Sequence, residues 1–407
     1  MKVVVIGGGP SGMMAAGTAA FFGAEVTLIE KNEKLGKKLY ITGKGRCNLT
    51  NTDTKEEFIK CVATNPKFLY SAISEMDTGA VYKFFEDLGL KLKVERGGRV
   101  FPLSDKASDV TAALERYLKK GNVEIMIGAC VKGLNQDKNG LVVSVSTTKG
   151  EIYCDKVILA TGGMTYSSTG STGDGYVLSK RLGHNIITPK PSLCAIKTKQ
   201  VYALQGLTLK NVNVKLMVGN KVEAEEFGEL LFTHEGVSGP TILSISATAT
   251  KMDLSKARIV IDLKPALTEE ELDLRLIRDF KEYSNKQFKN ALGDLLPQSM
   301  IPVIVELSNI NPLIYINSVT AEQRKSLLRL LKHFSLDILA MSDIDTAVVT
   351  SGGVDVKQIK PNTMQSKIVE NVYFAGELID VDGLTGGYNI QIALSTGYLA
   401  GKIAGIN

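Results

Sequence analysis

Three glycines in the pattern Gly7-x-Gly9-x-x-Gly12 follow a β-branched run and open a helical segment. No other feature of the chain restricts its fold as strongly. The elements around the glycines are predicted at residues 2–6 (strand), 11–22 (helix) and 25–30 (strand). A strand–helix–strand unit of this length needs a crossover connection and therefore indicates a parallel sheet. The expected fold class is α/β, with a Rossmann-like domain at the start of the chain.

The three glycines have separate roles in a dinucleotide-binding turn. Gly7 permits the tight turn, Gly9 lets the backbone approach a pyrophosphate, and Gly12 lets the helix pack closely on the strand. The helix N-terminus then offers N–H groups and a partial positive charge to phosphates. Glu30 ends the second strand, where a carboxylate accepts ribose hydroxyls and repels the 2′-phosphate of NADP. The alternative is a purely structural glycine turn with Glu30 at the surface.

Two further segments favour FAD over NAD as the dinucleotide. A second Gly-rich loop spans Thr42–Asn48, and an extended FAD needs such a loop along its pyrophosphate and ribityl chain. Near the C-terminal end, Glu377 and Asp380 are placed to hold hydroxyl groups, and residues 386–389 open the last helix towards the flavin. That helix N-terminus would favour the anionic reduced flavin.

The residues expected to contact FAD are Gly7, Gly9, Pro10, Ser11, Gly12, Glu30, Lys31, Lys38, Thr42, Gly43, Gly45, Arg46, Cys47, Asn48, Val131, Ala160, Thr161, Gly162, Gly376, Glu377, Asp380, Gly386, Gly387, Tyr388, Asn389 and Ile390.

The dinucleotide-binding domain is predicted to be discontinuous. Residues 31–52 lack a clean period and indicate a long ordered loop. Further elements of the first region are expected at 55–60, 68–76, 78–88 and 105–120 (helices) and at 123–127, 141–147 and 156–160 (strands). Pro189 and Pro191 mark a boundary. We expect residues 190–345 to be an insert, and 346–407 to return to the first domain.

The insert has both strand and helix signals. Alternation predicts a strand at 208–218, and 257–263 is a second strand. Capping boxes are expected at Thr268 with Glu271 and at Thr320 with Gln323, the latter opening a helix over 320–334. After the insert, strands are expected in TAVVT and NVYFAG, and a helix over about 389–404.

Composition excludes several classes of protein. The five cysteines are widely spaced with no Cys-x-x-Cys, and the three histidines are far apart, so neither a disulfide framework nor a metal site is expected. No apolar run reaches the length of a membrane span, and no signal peptide is recognised. We expect a cytoplasmic protein of unspecified oligomeric state. The net charge of +5 permits a polyanionic partner without requiring one.

With these segments joined, the chain resembles the BaiN/RdsA-like family of bacterial FAD-dependent oxidoreductases along essentially its whole length. The resemblance is carried by IGGGPSGMMAA, KLGKKLYITGKGRCNLTN, GRVFPLSDKASDV, ATGG with TGSTGDGY, LFTHEGVSGP, TSGGV and GELIDVDGLTGGYNIQIALSTG. One departure is visible: Lys44 stands where the family usually has glycine. The loop therefore has to accommodate a side chain there, or Lys44 adds a cation near the cofactor or substrate.

The resemblance implies a three-part fold: an FAD domain (1–189 and 346–407), an inserted flattened β-barrel (190–266 and 334–345) and a small helical domain (267–333). It also implies two-electron flavin chemistry without a separate nicotinamide domain, so NAD(P)H would visit the flavin transiently. The favoured activity is reduction of an activated C=C bond, with uridine in 23S ribosomal RNA becoming dihydrouridine. The alternatives are a small-molecule enzyme (steroid or bile-acid enone reductase, or aminoacetone-type amine oxidase) and a non-enzymatic flavin-binding RNA-assembly or redox-sensing protein.

Three residues are candidates for catalysis. Cys47 adjoins Arg46, whose charge would lower the thiol pKa and favour a proton-donating role; the alternative is a small buried filler. Arg99 would orient a carbonyl or phosphate, or else form a salt bridge with Glu95 or Asp105. His234 would act as acid or base, although a lone histidine is more often structural.

Overall fold

A computed structural model describes residues 1–199 and 202–406 of the chain. They form two compact units, which are described separately below. Unit 1 comprises Met1–Ser192 and Asp343–Asn407, and unit 2 comprises Leu193–Ser342. This division keeps the helical segment 267–333 in one unit with the strands around it, so the separate helical domain stays a prediction.

The first segment of unit 1 contains eleven strands and six α-helices. The strands are β1 (Lys2–Ile6), β2 (Glu25–Ile29), β3 (Thr50–Asn51), β4 (Leu92–Glu95), β5 (Arg99–Pro102), β6 (Glu124–Met126), β7 (Val131–Gln136), β8 (Val142–Thr147), β9 (Gly150–Tyr153), β10 (Lys156–Leu159) and β11 (Ile186–Ser192). The helices are α1 (Pro10–Phe21), α2 (Lys55–Lys60), α3 (Tyr70–Glu75), α4 (Thr78–Asp87), α5 (Ala107–Lys120) and α6 (Asp174–Arg181).

Unit 2 and the return to unit 1 complete the described chain. Unit 2 contains β12 (Ile196–Thr198), β13 (Thr208–Val218), β14 (Lys221–Phe232), β15 (Gly236–Ser238), β16 (Ala257–Asp262), β17 (Phe334–Met341), α7 (Pro240–Ala249), α8 (Glu269–Glu282), α9 (Ile301–Leu307) and α10 (Ala321–Lys332). The second segment of unit 1 adds β18 (Val349–Val354), β19 (Val372–Phe374) and α11 (Tyr388–Gly405).

The core of unit 1 is a five-stranded parallel sheet with strand order β19-β10-β1-β2-β6. The strands β1, β10 and β19 are short, mostly buried apolar runs, as is typical where both faces of a parallel sheet are covered, whereas the edge strand β6 is largely exposed. The chain builds one half of the sheet through β1, β2 and β6, then crosses to β10 and β19 on the other side of β1. The order therefore reverses between β1 and β10, and ligands of doubly wound sheets bind at such a switch point, beyond the carboxyl ends of the strands.

Helices α1 and α11 pack against each other at backbone contact. A Cβ placed on Gly397, Gly401 or Gly405 would lie 2.3–2.6 Å from a carbonyl oxygen of α1. The glycines recur every four residues and so share one face of α11. This close packing joins the last helix of the chain to the helix that follows the Gly7–Gly12 turn.

Unit 2 contains a closed barrel with strand order β12-β15-β14-β13-β16-β17. In β13 the side chains of Val212, Val214 and Leu216 alternate into the core, as the sequence predicted for this strand. The two predicted capping boxes, at Thr268 and Thr320, are also confirmed, and they begin α8 and α10.

Several sequence predictions for secondary structure are wrong. The stretch 31–52 is not a continuous loop, because 3₁₀ turns lie within Lys37–Gly45, interrupted at Thr42–Lys44, and β3 follows them. The helix predicted over 68–76, in contrast, is confirmed for Tyr70–Glu75 as α3, and a 3₁₀ turn at Pro66–Leu69 precedes it. The strands β4, β5, β7, β9 and β14 are among those that were not predicted. The first four belong to small antiparallel sheets. In β14 the exposed residues include Val222 and Phe227 beside charged side chains, so the strand has no clean polar–apolar alternation. Among the described residues, no helix has both the length and the apolar character to cross a bilayer.

Candidate functional site in unit 1

The carboxyl ends of all five parallel strands lead into residues that the sequence analysis assigned to the cofactor. Gly7 to Gly12 follow β1, Glu30 and Lys31 follow β2, and Val131 lies shortly after β6. Residues Ala160 to Gly162 follow β10, and Gly376 and Glu377 follow β19. The parallel register places these segments along one edge of the sheet.

The glycines after β1 show why the turn needs them. A Cβ on Gly12 would lie 1.8 Å from the Gly7 carbonyl oxygen, and a Cβ on Gly7 would lie 2.4 Å from the Ala160 carbonyl oxygen. A Cβ on Gly9, in contrast, would meet nothing within 4 Å. Gly7 and Gly12 are thus required by close backbone packing, whereas Gly9 faces open space at the start of α1.

The Glu30 carboxylate is buried and held in place by neighbours of this turn. One carboxylate oxygen accepts the Gly8 N–H at 2.7 Å. The other accepts both the backbone N–H and the side-chain Nδ2 of Asn32, at 2.8 and 2.7 Å. These bonds fix the orientation of Glu30 beside the glycine turn, where a ribose-binding carboxylate is needed.

The Gly-rich loop Thr42–Asn48 meets the start of α11. The Asn48 side chain, with its amide oriented to suit its neighbours, accepts the Gly387 N–H at 3.0 Å. Asn51 Nδ2 donates to the Gly386 carbonyl at 3.1 Å, and Thr50 Oγ1 donates to Gln391 Oε1 at 2.5 Å. Two segments that are far apart in sequence, with Thr50 and Gln391 separated by 341 residues, therefore form one structure.

Tyr388 and Glu377 make protein contacts that the sequence analysis did not foresee. The Tyr388 hydroxyl donates to Asp53 Oδ2 at 2.6 Å, so its side chain anchors α11 to the segment after β3. Glu377 Oε2 accepts from Lys38 Nζ at 2.9 Å, while Oε1 accepts the Thr350 N–H at 2.8 Å. Lys38 also donates to Thr165 Oγ1 at 2.6 Å. Glu377 and Lys38 thus bind each other and tie the loop after Gly36 to the segments at Thr165 and Thr350.

Three other predicted contact residues also have protein partners. Lys31 forms an ion pair with Asp174 at 2.5 Å. Asp380 accepts from Asn65 Nδ2 at 3.0 Å, and burial raises the pKa of its carboxyl. Asn389 Nδ2 donates to the Gly383 carbonyl at 2.8 Å, which closes the loop before α11.

The expected effect of Arg46 on Cys47 is wrong. Cys47 is fully buried, and this burial raises the pKa of its thiol to about 12. The Arg46 guanidinium points instead to Glu95, at 2.8 Å, and to Asp105, at 3.4 Å. Desolvation disfavours the thiolate, and the cation that was expected to stabilise it is already paired. Cys47 is therefore a protonated thiol in the core of unit 1.

Arg99 lies in the same charged cluster. Its Nη2 is 4.0 Å from Glu95 Oε2, and its Nε donates to the Arg96 carbonyl at 3.0 Å. Of the two carboxylates proposed as its salt-bridge partner, Glu95 is the one it approaches, whereas Asp105 is paired with Lys93 and Arg46. Arg99 remains partly exposed.

His234 belongs to unit 2. It lies in the exposed turn between β14 and β15, beside Glu235, which forms an ion pair with Lys197 at 3.2 Å. Helix α7 begins shortly after this turn, at Pro240. The role of His234 stays a prediction.

Comparison with known proteins identifies the family of the chain. The model of the HI0933-like protein Rossmann domain matches residues 1–403. The chain belongs to the HI0933-like family. Its members bind FAD through the Rossmann-type domain described above, and this HI0933-like protein is accordingly an FAD-dependent oxidoreductase.

Two curated relatives span the HI0933-like chain from end to end. It is 33% identical to a 3-dehydro-bile acid delta(4,6)-reductase of Clostridium scindens, over 99% of this chain and 98% of that protein. It is 30% identical to a ribosomal RNA dihydrouridine synthase of Haemophilus influenzae, over 97% and 96% of the two chains. Among solved structures, 3-ketosteroid delta1-dehydrogenase of Sterolibacterium denitrificans covers 99% of both chains with a TM-score of 0.55 at 11% identity, which is a likeness of fold alone.

The residues present in the HI0933-like protein fit FAD. Gly9 leaves open space at the N-terminus of α1, where the first N–H groups of a helix lack partners within the helix and bind phosphate oxygens. The Glu30 carboxylate, which would accept the ribose hydroxyls, is held in place by Gly8 and Asn32. The N-terminus of α11, joined to the Gly-rich loop through Asn48, is a second point of partial positive charge. Which further residues touch the cofactor stays a prediction.

Several residues that position this site were not predicted from the sequence. Asn32, Asn51, Asp53, Thr165 and Gln391 each hold a predicted contact residue or its neighbour through the bonds given above. Asn32 follows Glu30 by two residues, and a short polar side chain at that distance was an available signal. The other four act over long sequence separations, and no local pattern identifies them.

Proposed function

We propose that the protein reduces a carbon–carbon double bond conjugated to a carbonyl, and that its favoured substrate is uridine in 23S ribosomal RNA, which becomes dihydrouridine. The proposal is supported by the names of two of its full-length relatives, a delta(4,6)-reductase and a dihydrouridine synthase. Dihydrouridine differs from uridine by saturation of a C=C bond conjugated to a ring carbonyl. Both names therefore describe one type of chemistry on different substrates.

When bound, FAD supplies the hydride for such a reduction. The protein itself would hold the cofactor and provide a proton for the other carbon of the double bond. Glu30, with Gly8 and Asn32, would bind the ribose, and the N-termini of α1 and α11 would bind anionic groups. We propose Arg99 as a group that binds the substrate, at a carbonyl or at a phosphate, because its guanidinium is partly exposed and has donors to spare.

Cys47 is the candidate proton donor. Burial keeps its thiol protonated, so it has a proton to give, but the same burial suits a residue that only packs. Substitution Cys47→Ala separates these roles. Loss of a general acid lowers turnover about 10²–10⁴-fold, whereas loss of a packing residue leaves turnover within a few-fold once FAD content is matched.

The RNA substrate is favoured over a bile acid by exposed cations near the Gly-rich loop. Lys44 is exposed in that loop, and Arg96 is exposed in the β4–β5 hairpin. Neither forms an ion pair with another residue of the described part of the chain. Unpaired surface cations suit a polyanion more than a single carboxylate.

The direct test uses the flavin under anaerobic conditions. The holoprotein is reduced, mixed with 23S rRNA transcribed without modification, and followed by flavin absorbance and by nucleoside mass spectrometry. We expect the flavin to be reoxidised as dihydrouridine accumulates at a defined position. Flavin that stays reduced, with no dihydrouridine in the RNA, would overturn the proposal.

A second candidate substrate is a 3-oxo steroid or bile acid, which the 33% identical relative supports. The same reduced protein would be mixed with a 3-oxo-Δ4,6 bile acid. Rapid flavin reoxidation by that compound, without reaction on RNA, would select this activity. We propose NAD(P)H as the electron donor in both cases, and a site of action in the cytoplasm if ribosomal RNA is the substrate.

A further inference from the structure

The tip of the Gly-rich loop is held in an unusual backbone conformation. Gly43, Lys44 and Gly45 have φ angles of 56°, 59° and 84° in succession. Glycine adopts this left-handed region without steric penalty, but Lys44 does not, and the cost of such a conformation is about 1–2 kcal/mol for a residue with a Cβ. The loop therefore retains a lysine at a position where its backbone is strained, and its side chain is exposed.

The loop tip lies against the β4–β5 hairpin. A Cβ on Gly43 would be 3.3 Å from the ring of Phe101. The guanidinium carbon of Arg46 lies 4.2 Å from the centre of the same ring, and that of Arg99 lies 5.8 Å from it. The Phe101 ring thus contacts both Arg46 and Arg99, and it lies next to Gly43, the residue before Lys44.

The two arginines differ in how far their charge is neutralised. Arg46 pairs with Glu95 and Asp105, and the nearby Glu95 raises the pKa of its guanidinium. Arg99 reaches Glu95 only at 4.0 Å, and its Nη atoms make no hydrogen bond within the described chain. Arg46 therefore stabilises this cluster through its two ion pairs, whereas Arg99 has N–H donors available for a ligand.

Lys44, Arg96 and Arg99 together form what we call the basic rim. Lys44 is in the Gly-rich loop, Arg99 is the first residue of β5, and Arg96 is exposed in the turn between β4 and β5. Among the described residues, Lys44 and Arg96 form no ion pair, and Arg99 has the long contact described above. The neighbouring carboxylates Glu95 and Asp105 are engaged by Arg46 and Lys93.

We propose that the basic rim binds the phosphodiester backbone of a single-stranded RNA segment and so positions a base for the flavin site. This inference rests on the proposed function and names the part of the protein that recognises the substrate as a polyanion. Guanidinium groups match phosphate oxygens in a forked geometry, and lysine adds a mobile point charge. Strained conformations persist at positions where function requires the side chain, which accounts for lysine in the left-handed tip.

The test measures RNA binding separately from catalysis. The probe is a fluorescein-labelled, 20-nucleotide single-stranded RNA, and its affinity for the oxidised holoprotein is measured by anisotropy at several salt concentrations. The variants are Lys44→Gly, which keeps the backbone conformation, and Arg96→Ala. The control is Lys138→Ala, an exposed lysine in the β7–β8 turn. FAD content is determined for each by absorbance.

Each cation that releases a counterion on binding a single strand contributes about 0.7 to the slope of log K against log salt. We expect each rim variant to bind RNA several-fold more weakly, with a slope smaller by about 0.7, at unchanged FAD content. Lys138→Ala should retain the wild-type slope. Rim variants that bind RNA as the Lys138 control does would overturn the inference, as would a wild-type protein that binds no RNA.

The outcomes for the rim and for the proposed function are distinguishable. If dihydrouridine forms and the rim variants bind RNA as the wild type does, the proposed function stands and the inference about the basic rim is overturned. Absence of dihydrouridine together with rim-dependent RNA binding would overturn the proposed function and support the rim as a polyanion-binding surface.

Discussion

The two glycine-rich segments of unit 1 differ in what determines their backbone conformation. In the turn Gly7–Gly12, Gly7 and Gly12 answer steric requirements set by the turn itself and by the residue after β10, whereas a Cβ on Gly9 would meet nothing within 4 Å. In the loop Thr42–Asn48, the conformation includes left-handed Lys44 and Cys47, at φ 59° and 61°, and is held from outside by Phe101 and by the start of α11. The conformation of a local motif can therefore be predicted from its own residues, whereas the conformation of a loop supported by tertiary contacts cannot.

The largest expected effect separates two glycines of the first turn. Gly12→Ala should destabilise the protein by about 3 kcal/mol or more and abolish FAD retention, because its Cβ would lie 1.8 Å from a backbone oxygen. Gly9→Ala should leave stability nearly unchanged, since its Cβ meets nothing within 4 Å, but should weaken FAD binding. Urea unfolding and flavin content would measure both. Equal stability losses in the two variants would contradict the division of roles.

The second prediction concerns the ion pair that ties the chain after Gly36 to the C-terminal segment. Glu377→Gln should destabilise the protein by about 2 kcal/mol, because Lys38 and the Thr350 N–H lose a charged acceptor. The matched control is Glu75→Gln, which breaks the more exposed pair with Lys402 at 2.7 Å and should cost about 0–1 kcal/mol. Chemical unfolding of both variants compares them, and a Glu377→Gln loss no larger than that of the control would argue against a structural tie.

The third prediction addresses strain in the second loop. Lys44→Gly should stabilise the protein by about 1 kcal/mol, since glycine accepts the left-handed conformation freely. Lys44→Ala should give no such gain, because alanine carries the same Cβ. Thermal and urea unfolding of the three proteins would show the difference. If alanine and glycine stabilise equally, relief of backbone strain is not the cause.

The ionisation of the buried thiols is expected to have the smallest effect on stability at neutral pH. The pKa of Cys47 is raised to about 12 and that of Cys194 to about 11, both by burial. Above pH 9 the folded state therefore keeps both thiols protonated, whereas the unfolded chain releases the protons. The stability that the protonated thiols contribute is complete below pH 9 and is lost as pH rises through 11 and 12. Urea unfolding between pH 7 and 10.5 measures this decline, which Cys47→Ala should reduce. Alkylation of native Cys47 by iodoacetamide at pH 8 would show that the thiol is not buried.

Local patterns predicted the parts of the fold whose causes are local. The first β–α–β unit, the strand β13 and both capping boxes follow from periodicity and from side chains that bond within one turn. The strands β4 and β5 were missed because their short sequences carry several charges and their pairing is set by each other and by β3. The face of α11 that packs on α1 was not predicted either. The need for glycine at Gly397, Gly401 and Gly405 arises from contact with the backbone of α1, which the sequence does not show.

By itself, the sequence determined that the chain begins with a dinucleotide-binding turn, because the spacing of three glycines and the position of Glu30 reflect covalent geometry and short-range sterics. The tertiary structure decided the ionisation of Cys47, the pairing of Lys38 with Glu377 and the exposure of the basic rim. These properties depend on burial and on charges brought together across more than 300 residues, as in the separation of 339 between Lys38 and Glu377. Desolvation and Coulomb interactions act through space, so the order of residues along the chain does not reveal them.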